Sequence, residues 1–155
     1  MRFLIILLMF VLPLPVAAYD EMPSDVAEFL ATRKTLATIS FAAGSDTLTA
    51  GGRETLDSIV KQLRQTEKQN VIVRIEGFCS PDGEERANLL LAMDRARAVE
   101  AYLRTLELPD NRSLMGMGVD HWSGLEPDAQ RRVDVAIYED RFDTNNWETD
   151  SYLFQ

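Results

Sequence analysis

Apolar positions along this chain recur with two different periods, and the switches between them lay out the elements. Ala37, Ile39 and Phe41 alternate with Thr38 and Ser40, the two-residue period of a half-buried strand. Gly44-Ser45-Asp46 breaks that run. From about Thr49 to Gln65 the period lengthens: Leu56, Ile59, Val60 and Leu63 fall on one helical stripe. Gly51-Gly52 weakens the start of this helix. Glu67-Lys68-Gln69-Asn70 is a polar turn, and Val71-Ile72-Val73-Arg74-Ile75 a second strand with Val71, Val73 and Ile75 on one face. That strand runs into the turn Glu76-Gly77-Phe78-Cys79-Ser80-Pro81-Asp82-Gly83, and a second amphipathic helix follows to about Leu106. Asp82 with Glu85 fits a capping box; Ser80 with Pro81 at the first helical position is an equal alternative. Pro109-Asp110-Asn111 ends the helix.

A third strand covers Leu114 to Val119, where Gly116 and Gly118 make it pliable or closely approached by other backbone. His121 to Asp128 reads as a loop, and Arg131 to Tyr138 as a fourth strand with Val133, Val135 and Ile137 on one face. Strand–helix–strand connections favour parallel pairing. The short third link allows a hairpin-like pair of the last two strands. The predicted fold is α/β (α+β): a two-layer sandwich, β-α-β-α-β-β, with two helices packed on one face of a mixed sheet.

The two ends differ from this middle. Met1-Arg2 followed by apolar Phe3 to Val16 and the small residues of Val16-Ala17-Ala18 has the pattern of a secretory signal peptide over residues 1–18. The apolar run is short of the roughly 20 residues of a membrane span, and Pro13 and Pro15 interrupt it. An uncleaved anchor is the competing reading. Residues 19–34 form a lead-in segment in which Ser24 or Asp25 caps a short helix through Phe29-Leu30. Residues 35–140 form one domain, and 141–155 a polar tail with Phe142, Trp147, Tyr152 and Phe154.

Charge and cysteine usage narrow the partners. The net charge of −9 becomes −10 when Arg2 leaves with the apolar segment. That excludes nucleic acid and anionic membrane as the expected partner, while Arg95, Arg97, Arg131 and Arg132 still allow a local basic pocket. Cys79 is the sole cysteine, so no lipid-attachment cysteine follows the apolar run and no intramolecular disulfide forms. Cys79 is then either a small part-buried residue at a strand end or a free thiol that pairs with another chain.

The second helix carries the candidate chemistry. At about 100° per residue, Asn88, Leu91, Arg95, Val99, Tyr102 and Leu106 share one stripe. Its later half is apolar and must face the sheet, so an amide and a guanidinium lie on the inward line near the turn. A buried Arg keeps its charge and needs a partner. Two readings stay open: an internal salt bridge to Glu76, Asp82 or Glu100, or bidentate capture of a ligand carboxylate.

These residues together resemble the OmpA-like domain, the peptidoglycan-associating module of outer-membrane porins, peptidoglycan-associated lipoproteins and flagellar stator proteins. Ile39-Ser40-Phe41 with Gly44-Ser45 and Leu48 resembles its opening strand and turn. Ile75-Glu76-Gly77-Phe78, Gly83 and Asn88 resemble its second strand, turn and helix. Leu91, Arg95-Ala96-Arg97-Ala98-Val99 and Tyr102-Leu103 resemble its Leu-Ser-x-x-Arg-Ala-x-x-Val-x-x-Tyr-Leu motif. Gly116-x-Gly118 is similar to its third strand, and Arg131-Arg132-Val133-Asp134-Val135 to its closing Asn-Arg-Arg-Val segment, with Gln130 in place of Asn. The resemblance implies a non-catalytic periplasmic protein of a diderm bacterium, at the outer membrane or cell wall. It implies a module that binds the diaminopimelate of the peptidoglycan stem peptide without a cofactor.

In the family an Asp of the turn takes the ligand ammonium and the helix Arg its carboxylate. The Arg carries over to Arg95, the helix Asn to Asn88, and a closing-segment Arg to Arg131 or Arg132. The Asp does not carry over. Ser80 stands there and Cys79 stands where Thr is usual, as in a subgroup reading Ser-Pro-acid-Gly. Losing one charge-assisted hydrogen bond costs roughly 1.5–3 kcal/mol, about one to two decades in affinity. Asp82, in the same turn, is the candidate replacement. The competing class is an envelope interaction module that has lost strong wall binding and recruits a protein partner. A Cys79–His121 nucleophile–base pair is the enzymatic alternative, carried by the sole His in a loop before Trp122. One Cys and one His without paired neighbours make no metal site, and Gly116-Met117-Gly118 lacks the third glycine and following helix of a dinucleotide site.

Overall fold

A computed structural model describes residues 24–108, 112–121 and 123–140. The expected signal segment, the tail at 141–155 and Pro109-Asp110-Asn111 lie outside the described residues. The elements are α1 (Ser24–Ala31), β1 (Lys34–Ser40), α2 (Ala50–Thr66), β2 (Val71–Cys79), α3 (Glu85–Arg104), β3 (Arg112–Val119), α4 (Pro127–Gln130) and β4 (Arg132–Glu139). They form a four-stranded mixed sheet in the order β1-β4-β2-β3. The sheet and its two long helices make the two-layer α/β arrangement that the hydrophobic pattern predicts, with α1 as the short helix expected in the lead-in segment and α4 added.

One expected pairing is corrected. β3 and β4 do not form a hairpin-like pair. β3 runs parallel to β2, while β4 lies between β1 and β2, antiparallel to both. The link holds α4, which carries the chain back across the sheet end. The composition of β4 explains its place. From Arg132 to Tyr138 only Ile137 is more than marginally exposed, so this strand needs a neighbour on both sides. An edge position would leave one whole row of its backbone groups unpaired.

Helices α2 and α3 cover one face. Leu56, Ile59 and Leu63 of α2 meet Ala96, Val99 and Leu103 of α3 over Ile39, Val73, Ile75, Val133 and Val135. The α3 stripe is rotated from the predicted one. Ala92, Ala96, Val99 and Leu103 are fully buried, while Leu91, Tyr102 and Leu106 are only half-buried. The cause is a glycine. A Cβ on Gly77 of β2 would lie 1.9 Å from the carbonyl oxygen of Ala92. The helix therefore rests its backbone on the strand there, and the small alanines take the contact in place of the larger side chains. Gly116, the partner of Gly77 on β3, extends the same flat seat below Leu89 and Met93. The α3 cap is also corrected: neither Asp82 nor Ser80 caps it. The Glu84 carboxylate accepts from the backbone N–H of Arg86 and Ala87.

The other face of the sheet carries charge. Glu76 and Asp134, both buried, converge on Nη2 of Arg33 at 2.8 and 2.9 Å. Arg132 links Asp134 to Asp120, and Thr38 donates to Asp134 at 2.7 Å. Partial burial works against the Arg33 charge, but the hydrogen bonds and charges of Glu76 and Asp134 outweigh it and push its pKa up. Arg74 lies 4.7 Å over the Tyr138 ring, and the Tyr138 hydroxyl donates to Glu76. Phe29 of α1 stacks on the same ring at 4.9 Å. Buried charges cost less when each is paired and hydrogen-bonded, and here they form one connected set.

Two outcomes test this packing. Gly77→Ala pushes α3 off the sheet and destabilises the fold by about 3 kcal/mol in urea unfolding. Burial and the Glu76 carboxylate raise the Tyr138 pKa to about 12, above the usual phenol value near 10. The unfolded chain therefore ionises first, and this contribution, complete below pH about 10, is lost as pH rises towards about 12. Tyr138→Phe flattens the fall of the thermal midpoint in that window.

Candidate functional site

Three connections emerge at one end of the sheet: residues 41–49 after β1, 80–84 after β2, and 120–131 between β3 and β4. The start of α3 lies at the same end. Ser80, Asp82 and Arg131 fall on these segments, Asn88 and Arg95 on the α3 face below them, and Cys79 and Arg132 on the adjoining ends of β2 and β4.

Arg95 holds them together. It is fully buried. None of the three expected carboxylates reaches it. Glu76 lies on the opposite sheet face, Glu100 binds Arg112 at 2.9 Å, and Asp82 is exposed and outside any ion pair. Its partners are backbone carbonyls. Nε donates to Ser45 O at 2.9 Å, Nη1 to Phe78 O at 2.9 Å, and Nη2 to Ala42 O at 3.0 Å. Nη1 also approaches the Cys79 sulfur at 3.3 Å, and the Phe41 ring lies 5.5 Å from the guanidinium carbon. These contacts use four of the five donors of a guanidinium, leaving one N–H on Nη2. Burial lowers the Arg95 pKa, and the Arg131 charge adds to that against the opposing effects of Cys79 and Asp46.

The two closing-segment arginines part company. Arg132 lies on the ionic face, bonded to Asp120 at 2.8 Å and Asp134 at 3.3 Å, with its guanidinium 4.1 Å from the Phe78 ring centre. Arg131 is the one whose charge acts on Arg95. It reaches Asp128 at 2.6 Å, a carboxylate that is almost fully exposed, and its buried Nε has no hydrogen-bond partner. Its carbonyl accepts from Phe41 N, which fixes the backbone of the segment against β1.

Around these cations sit polar groups with no hydrogen bond of their own side chains among the described residues: Ser80 and Asn88, both buried, and Asp82, exposed in the turn. The Asn88 amide oxygen lies 3.9 Å from where a Cβ of Gly83 would stand, so it faces the turn. Because Glu84 caps α3, the Asp82 carboxylate is not used in capping. Cys79 is buried and its pKa is raised by desolvation, which Arg95 only partly offsets. His121 is exposed and shares no hydrogen bond with Cys79, so the nucleophile–base pair does not assemble. No group of metal-ligating side chains occurs among the described residues. No described helix is long and apolar enough to cross a membrane. Sequence reasoning missed the carbonyls of Ala42, Ser45 and Phe78 as the acceptors for Arg95. Backbone acceptors leave no mark in side-chain chemistry.

Comparison with known proteins places this geometry. Residues 40–133 match the model of the OmpA family. Over 81 residues the chain is 33% identical to outer membrane protein A of Serratia odorifera, a match over 52% of this chain and 33% of that protein. The chain thus matches about a third of the length of this relative. Among solved structures it is similar to the OmpA-like domain of FopA1 from Francisella tularensis, with a TM-score of 0.55 at 25% identity, over 64% of this chain and 68% of that one. The peptidoglycan-associated lipoprotein of Burkholderia pseudomallei gives a TM-score of 0.54 at 20% identity, over 65% and 89% of the two chains. The periplasmic domain of Helicobacter pylori MotB gives 0.57 at 19%, over 69% and 74%. The last two likenesses bear on the fold alone. The family model covers more than half of the sequence, runs from the last residue of β1 into the start of β4 and includes Arg95, and the chain belongs to the OmpA family.

Proposed function

We propose that this protein is a non-catalytic module of the bacterial envelope, facing the periplasm, that associates with peptidoglycan. It holds the diaminopimelate-containing stem peptide non-covalently at the strand-end face. Family membership supports the class, and a relative in fold is by name peptidoglycan-associated. The observation that carries the site is electrostatic. Arg95 and Arg131 lie close enough for one to depress the pKa of the other, after burial, in a protein of net charge −9. Such a paired cation favours a carboxylate between them.

In this reading Arg131, with its unpartnered Nε, takes the ligand carboxylate together with the remaining Nη2 N–H of Arg95. Ser80 and Asn88 supply uncharged hydrogen bonds, and Asp82 faces the ammonium in place of the absent turn Asp. A second reading has one observation in its favour. The Arg95 guanidinium is nearly saturated by carbonyls, so the pocket is built first to hold the fold, and wall affinity is reduced in favour of a protein partner.

Burial decides which variants are informative. Arg95→Lys replaces the guanidinium fork by a single ammonium that does not reach the carbonyls of Ala42, Ser45 and Phe78 together, and lowers stability by about 3 kcal/mol in urea unfolding. Its retention on cell walls then reports folding rather than contact. In a pull-down with purified sacculi, the wild-type chain is retained. Arg131→Ala and Asp82→Ala keep the wild-type unfolding midpoint and lose about tenfold in affinity each. Unchanged retention of Asp82→Ala removes Asp82 from the site. Absence of wild-type retention overturns wall binding and leaves the protein-partner reading.

A further inference from the structure

β3 is an edge strand that pairs, among the described residues, only with β2. From Ser113 to Val119 it holds no charged residue and no proline. Its register with β2 shifts between Gly116 and Gly118, so Met117 is an extra residue there, but from Ser113 to Gly116 the edge holds none of the charges, prolines or bulges that usually keep a free edge from pairing. The opposite edge, β1, begins at Lys34 and breaks its register with β4 close to that start, between Thr35 and Ala37.

The surface around the β3 edge is apolar. Six large apolar side chains are exposed among the described residues, and three of them are here: Leu89 on α3, Met115 and Met117 on β3. They wrap the edge. Leu89 lies over the helix-facing side, next to Gly116 and Gly118, whereas Met115 meets Arg74 on the ionic side. A cavity of about 430 Å³ opens between α3 and β3, with Leu89 and Met117 in its wall. Glu84 and Glu85 line one end of it, outnumbering Arg86, and Asp82 is exposed in the turn just before them.

We infer that the β3 edge receives an extended segment of a partner protein as a fifth strand, apolar at alternate positions and carrying a basic residue for Glu84 and Glu85. Alternation suits this surface, because a strand sends successive side chains to opposite faces. One set would meet Leu89 and the cavity, the other Met115. Main-chain pairing supplies affinity and the cavity supplies selectivity, the mode of strand addition. The acidic rim and the net charge of −9 select a basic peptide over a second copy of this chain. The inference does not rest on wall binding, since the edge lies outside the Arg95–Arg131 site.

The test uses the isotope-labelled full chain and a synthetic peptide, Lys-Lys-Val-Thr-Val-Thr-Val-Thr, followed by backbone NMR. Amides of Ser113 to Met117 shift on titration and exchange with solvent about tenfold more slowly, as expected for new ladder bonds. A twin peptide N-methylated at alternate residues does not bind. Glu85→Gln weakens binding about fivefold, the upper scale of one exposed charge pair. Met117→Lys keeps the wild-type unfolding midpoint and abolishes the shifts. The proposal is overturned by a lack of shifts on β3, or by equal binding of the N-methylated twin. Protection that grows with chain concentration without peptide overturns it in favour of a second copy. Protection in the peptide-free chain that deletion of residues 141–155 releases overturns it in favour of the chain's own segment.

Discussion

A guanidinium keeps its charge inside a protein, so burying Arg95 obliges the surrounding chain to supply acceptors. Three carbonyls from two segments far apart in sequence do so: Ala42 and Ser45 after β1, and Phe78 near the end of β2. The reach depends on Gly77. Because its missing Cβ admits the carbonyl of Ala92, α3 sits low on the sheet and delivers Arg95 to the strand ends. A charged side chain thus acts as a tie between loops, and the loops that it ties are those on which the candidate site is built. Removal of the charge without its acceptors leaves buried carbonyls unpaired, which is costlier than never having buried it.

The opposite sheet face solves a similar problem by a different means. Arg33, Arg74 and Arg132 interleave with Glu76, Asp120 and Asp134, and each buried charge meets one of opposite sign. Arg33 stands just after α1, before the stretch that the family model matches. The lead-in segment therefore contributes a charge on which two buried carboxylates of the domain depend. One face of the sheet is held by apolar burial under α2 and α3, the other by a connected ionic set under Phe29 and Tyr138.

These two solutions explain why the residues at the site differ in what they can do. Arg132 is committed to the ionic face and stacked on Phe78, while Arg131 faces the Arg95 side with its Nε unpartnered. Arg131 is the C-cap of α4 and Arg132 opens β4, so the division falls where one element passes into the next. Likewise Glu84, by capping α3, leaves the Asp82 carboxylate outside the helix start.

Local periodicity by itself determined the two long helices, the four strands, their succession along the chain and the inward position of Asn88 and Arg95, because these rest on spacing within one element. The glycines of β3 pointed either to pliability or to close approach, and at Gly116 the close approach is found. Three things needed the tertiary structure. The central place of β4 follows from the paired demands of its two faces, which no single segment states. The rotation of α3 onto Ala92 and Ala96 follows from a glycine on another element. The partners of Arg95 are main-chain oxygens, and every residue carries one. Sequence names the side chains that must be satisfied, but only the folded chain shows which backbone is near enough to satisfy them.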